Sequence, residues 1–66
     1  MKPSSEHERE IARRVDERAR EDKLSIPAVA EIAAGVPFPM SESETRFLIG
    51  YIVWRREHPI GLENSD

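Results

Sequence analysis

Apolar residues are distributed unevenly along this chain, and the densest stretch is Phe47-Leu48-Ile49-Gly50-Tyr51-Ile52-Val53-Trp54. At 3.6 residues per turn, Phe47, Tyr51 and Trp54 share one side of a helix, Leu48 and Ile52 a second, and Ile49 and Val53 a third. A helix apolar on three sides belongs at the centre of a fold. Upstream, Ile11, Ala12, Val15 and Ala19 recur at helical spacing and form a narrow stripe, diluted by alanine, between charged faces. A second, shorter apolar pattern places Ile26, Val29, Ile32 and Ala33 on one face. The pattern predicts an all-α fold, a compact three-helix domain. Its helices are a long one over about 5–23, a short one over about 26–34 and a long one over about 42–58.

Start and stop signals support these boundaries. Ser5 with Glu8 and Ser41 with Glu44 have capping-box spacing, in which each side chain satisfies a free backbone N–H at a helix start. Ser25 followed by Pro27 reads as a cap with proline in the first turn, where its missing N–H costs nothing. Gly35 is expected to end the short helix in a left-handed conformation. Val36-Pro37-Phe38-Pro39-Met40 cannot be helical, because each proline biases the preceding residue toward extended backbone. The third helix should stop at His58, before Pro59. All of residues 1–66 form one domain, with a frayed lead over 1–4 and a loose acidic tail over 60–66. Gly50, on the side of Trp54, is expected to permit a close helix crossing.

Sixty-six residues lie near the lower limit at which a core alone holds a chain folded. There is no cysteine, which removes disulfides and thiolate sites and fits a reducing compartment, the cytoplasm. The apolar run at 47–54 is too short to cross a bilayer. Thirteen acidic against ten basic residues give a net charge of −3, so long-range electrostatics disfavour nucleic acid as a partner.

No catalytic, cofactor or metal constellation emerges. His7 and His58 lie far apart and lack the four-residue spacing of two ligands on one helical face. Gly35, Gly50 and Gly61 are isolated, so there is no phosphate-binding loop, and the chain reads as a non-enzyme without a cofactor. Two candidate contact surfaces remain. Phe38, Met40, Phe47, Tyr51 and Trp54 could plug the core or contact a partner. Arg9, Arg13, Arg20 and Lys23, with Asp16 among them, line one side of the first helix as a charged docking stripe beside Glu6, Glu10, Glu17 and Glu21. Glu10 with Arg14 and Asp16 with Arg20 have the favourable acid-first spacing, for about 0.3–0.5 kcal/mol each.

Three uses fit such a domain. A helix-turn-helix DNA-binding regulator is suggested by a short helix followed by a longer one. Against it, the turn contains two prolines, and the first turn of the third helix carries Glu42 and Glu44, which repel phosphate. A homodimeric structural module would hide the apolar surface that two thinly striped helices leave uncovered. An accessory protein would hide it against a larger partner.

Here the connector is informative: Leu24-Ser25-Ile26-Pro27-Ala28-Val29-Ala30-Glu31 resembles the segment joining the first two helices in the theta subunit of bacterial DNA polymerase III and its phage relative. The order of elements is similar over about residues 10–57, with Glu44 early in the third helix, Tyr51 and Trp54 in its middle, and Arg55 and Arg56 near its end. The chain departs from that family in a longer Val36–Met40 loop and in an acidic rather than basic C-terminal segment. The resemblance implies a non-catalytic subunit that binds and stabilises the proofreading exonuclease subunit of a replicative polymerase.

Overall fold

The computed structural model describes residues 2–21 and 24–60. Three helices are present: α1 (Glu6–Glu21), α2 (Ile26–Gly35) and α3 (Glu42–Glu57). No strand occurs among the described residues, and the chain is an all-α three-helix domain.

The caps are those the sequence signs, with one difference. Ser41 Oγ accepts from the N–H of Glu44, and the Glu44 carboxylate accepts from the N–H of Ser41, which closes the full capping box of α3. Ser25 Oγ accepts from Ala28 N at 3.3 Å. At α1, Ser5 Oγ accepts from Glu8 N, but the Glu8 carboxylate accepts from the N–H and hydroxyl of Ser4 instead of from Ser5. Ser4, expected to fray, is therefore tied to the first turn.

The end of α2 differs from expectation. No glycine among the described residues has positive φ, and Gly35 is the last helical residue. The stop comes one residue later, where Val36 takes extended backbone (φ −65°, ψ 127°) because it precedes Pro37. What Gly35 supplies is room: a Cβ there would sit 3.3 Å from Arg14 Nη1. Gly50 is not a crossing point. It lies on the side of α3 away from α1, and a Cβ there would meet open space.

The core is built where α1 crosses α3. Ile11 and Val15 are fully buried, with Ala12, Leu24, Ile32, Leu48, Tyr51 and Ile52 around them. Ala19, Val29, Ala33, Phe38, Met40, Phe47 and Trp54 pack on its margin, half-buried. Only one position of the predicted α2 face is misplaced. Ile26 is 81% exposed, because the buried line of α2 runs through Ala28 and Ile32, and two residues turn Ile26 about 200° away from Ala28. No helix among the described residues is long and apolar enough to cross a membrane.

Candidate functional site

α3 carries three of the candidate residues, Phe47, Tyr51 and Trp54, and its sides have different fates. Leu48 and Ile52 face the core and are buried. The aromatic side is used within the chain. Tyr51 is 4% exposed, and its hydroxyl donates to the Asp16 carboxylate at 3.0 and 3.1 Å. Arg55, 9% exposed, donates from Nε to Asp16 at 3.1 Å, from Nη2 to the Tyr51 hydroxyl at 3.2 Å and from Nη1 to the His58 carbonyl at 2.9 Å. Its guanidinium also lies 4.5 Å from the centroid of the Trp54 ring. Phe47, Tyr51, Trp54 and His58 form a ladder of rings, with centroids 5.5, 5.5 and 4.7 Å apart.

Burial raises the Tyr51 pKa above its usual value, and the Asp16 carboxylate that accepts its proton adds to this against the opposing Arg55. For Arg55 burial alone would lower the pKa, but Tyr51 and Asp16 outweigh it and the guanidinium is held more firmly protonated. Asp16, expected to pair with Arg20 along α1, is thus spent on α3. Glu10 does pair with Arg14, at 2.6 Å.

Phe38 and Met40 pack against the core as plugs. Phe38 also stacks on His7, with ring centroids 3.8 Å apart and planes 7° from parallel. His7 Nδ1 is in turn 2.9 Å from Glu44 Oε2. The same Glu44 caps α3, so the start of α1, the proline loop and the start of α3 meet around His7. The Ser41 N–H, joined by His7, holds the Glu44 pKa below the usual carboxylate value. Nothing local in the sequence marks this role for His7, whose partners lie 31 and 37 residues away.

The charged stripe of α1 is interleaved with acids. Arg13 bonds Glu10 and Glu17, at 2.7 Å each, and these carboxylates raise its pKa. Glu10, bonded by Arg13 and Arg14, has its pKa lowered. Arg9 and Arg20 are exposed, and Lys23 lies outside the described residues. Arg18 joins Glu31 at 2.8 Å and ties α1 to α2. An open groove of about 730 Å³ lies near the C-terminal ends of α1 and α3, lined by Ala19, Leu24 and Pro59 with Arg20, Arg55 and Arg56. No group of three or more His, Cys, Asp or Glu side chains among the described residues is placed to hold a metal ion.

What is left uncovered is the third side of α3. Ile49 is 58% and Val53 49% exposed, on the side turned away from α1. Gly50 lies beside them, with Glu42 and Arg46 paired at 2.8 Å toward the helix start and Arg56 toward its end. Arg56 Nε donates to the Leu24 carbonyl at 3.0 Å and so joins the end of α3 to the residue before the α2 cap. No family model, curated protein or solved structure matches the chain.

Proposed function

We propose that this chain is a non-catalytic accessory protein that binds and stabilises a larger protein, acting in the cytoplasm. The observation that supports the reading is the exposure of Ile49 and Val53 on the outer side of a helix whose other apolar residues pack within the chain. Neighbouring exposed aliphatic residues on a regular helix, bordered by charged residues, suit a contact patch with an apolar centre and a polar rim. The resemblance of the connector Leu24–Glu31 to the theta subunit supports one choice of partner, the proofreading exonuclease subunit of a replicative DNA polymerase. Phe38, Met40, Phe47 and Trp54 support the contact from the half-buried margin, while Tyr51 braces α3 from within. Nucleic acid suits the surface less, because the first turn of α3 presents Glu42 and Glu44.

The test mixes the chain with the exonuclease subunit from the same source. Co-elution, together with a rise in the melting temperature of that subunit, is the expected result. Ile49→Asp or Val53→Asp should abolish both while leaving the helical signal unchanged. A wild-type chain that neither co-elutes nor shifts the melting temperature, or one that retards DNA at low salt instead, overturns the reading.

A further inference from the structure

Five exposed residues run in a line along the outer side of α3: Glu42, Thr45, Ile49, Val53 and Arg56. Their successive spacings are three, four, four and three, so the line is symmetric about Ile49. The chemistry along it is acid, hydroxyl, aliphatic, aliphatic, base. Seven residues separate Ile49 from Glu42 and again from Arg56, about 10.5 Å each way at 1.5 Å per residue. Seven residues also return to within about 20° of the same direction, which keeps the three on one side.

A two-fold axis through Ile49, perpendicular to the helix, therefore has a defined outcome. Ile49 meets its own copy, the Thr45 methyl meets Val53 twice, and Glu42 meets Arg56 at both ends. Antiparallel pairing thus matches opposite charges, whereas parallel pairing sets Glu42 on Glu42 and Arg56 on Arg56. The charges are available for this. Arg56 Nε and Nη2 both donate to the neutral Leu24 carbonyl, which leaves Nη1 for a carboxylate, and among the described residues the charge has no carboxylate partner. The Glu42–Arg46 pair is fully at the surface, where such pairs hold weakly.

We propose that a second copy of this chain covers this face, in an antiparallel two-fold dimer through α3, and that dimer and accessory complex exclude one another. The inference rests on the reading of the outer side of α3 as a protein-covered face, and it names what covers that face when the larger protein is absent. One helix against one helix is a small contact, at the low end of specific interfaces, so the dimer dissociates on dilution. The free pool of the chain is then buffered: at high concentration the aliphatic line is hidden, and the larger protein takes up monomers.

Analytical ultracentrifugation across a concentration series tests this with the intact chain alone. Wild type should pass from monomer to dimer as concentration rises. Glu42→Arg and Arg56→Glu, each alone, should raise the dissociation constant about tenfold or more, because each sets like charges together at both ends. An equimolar mixture of the two single variants should associate again, since every end contact is then acid on base. The double variant should dimerise like wild type. Arg56→Glu also removes the bond to the Leu24 carbonyl, so thermal melts on each variant check that the packed fold survives, and Glu42→Arg, which alters an exposed first-turn residue, tests the proposal by itself if Arg56→Glu does not fold. A wild type that stays monomeric up to about 1 mM overturns the proposal. So do single variants that dimerise as well as wild type, or a mixture that does not associate. The exonuclease takes no part in this experiment, so a chain that dimerises but leaves the exonuclease unbound keeps the dimer and loses the accessory reading together with the mutual exclusion.

Discussion

Asp16 of α1 accepts hydrogen bonds from two residues of α3, the Tyr51 hydroxyl and Arg55 Nε, which stand 35 and 39 positions further along the chain. With His7–Glu44 at the other end, it is one of two polar links between α1 and α3 among the described residues. With Tyr51 and Arg55 turned to α1, Leu48 and Ile52 fall into the core and Ile49 and Val53 fall outside. The same rotation that brings Tyr51 and Arg55 to Asp16 leaves the line of Ile49 and Val53 exposed.

Asp16→Asn should destabilise the domain by about 2–3 kcal/mol. The amide cannot balance the Arg55 charge, which is left nearly buried with only carbonyl and hydroxyl partners. Tyr51→Phe removes the hydroxyl's bonds to the Asp16 carboxylate and from the Arg55 guanidinium but keeps the ring and the Asp16–Arg55 pair, so it should cost less, about 1.5 kcal/mol. Urea denaturation of the two variants checks the order, and equal losses would mean that the ion pair adds nothing beyond the hydroxyl.

Acid should weaken the fold in part through Glu44. The Ser41 N–H and His7 lower its pKa in the folded chain below the unfolded value of 4.5. Its contribution is therefore complete above pH 4.5 and is lost as pH falls through the lower, folded value. Glu44→Gln keeps a cap acceptor but removes the charge, so it should flatten the acid limb of a plot of melting temperature against pH. Glu10, lowered by Arg13 and Arg14, retains its own share of the slope.

Gly50→Ala should stabilise the chain by about 0.5–1 kcal/mol, because the residue is inside a helix, has negative φ and would point its methyl into open space. That corresponds to a rise in melting temperature of a few degrees, at about 4–8 °C per kcal/mol for a domain of this size. Gly35→Ala gains less. Its methyl must displace the Arg14 guanidinium tip, 3.3 Å away, and the change should stay within about 0.5 kcal/mol of zero.

Trp54 and Val53 are neighbours with different tasks. Trp54 lies between the Tyr51 and His58 rings with the Arg55 guanidinium against it, and Trp54→Ala should cost about 2–4 kcal/mol. Val53→Ser and Ile49→Ser, at half-exposed sites, should change stability by no more than about 0.5 kcal/mol. Chemical denaturation separates the two classes, and a large loss at Val53 or Ile49 would place them in the core.

The helices and their starts were legible in the sequence, because capping boxes, prolines and apolar periodicity act within four residues. The three-sided apolar character of residues 47–54 was legible too. Which side would stay exposed was not, since that depends on Asp16, which sequence spacing assigns to Arg20. Ile26 was misread for a similar reason: its face on α2 is decided by how α2 lies on α1, not by its own periodicity. For His7 the sequence shows only that it lacks metal-ligand spacing with His58, and its stack on Phe38 arises only when the proline loop folds back over the start of α1.

Arg55 and Arg56 are adjacent, yet one reaches Asp16 on α1 and the other the Leu24 carbonyl ahead of α2. Both clasps lie in the last turn of α3. A chain cut just before Arg55 would keep the Arg18–Glu31 tie of α1 to α2 but lose both of these links, so the short C-terminal turn of α3 fastens two other parts of the domain at once.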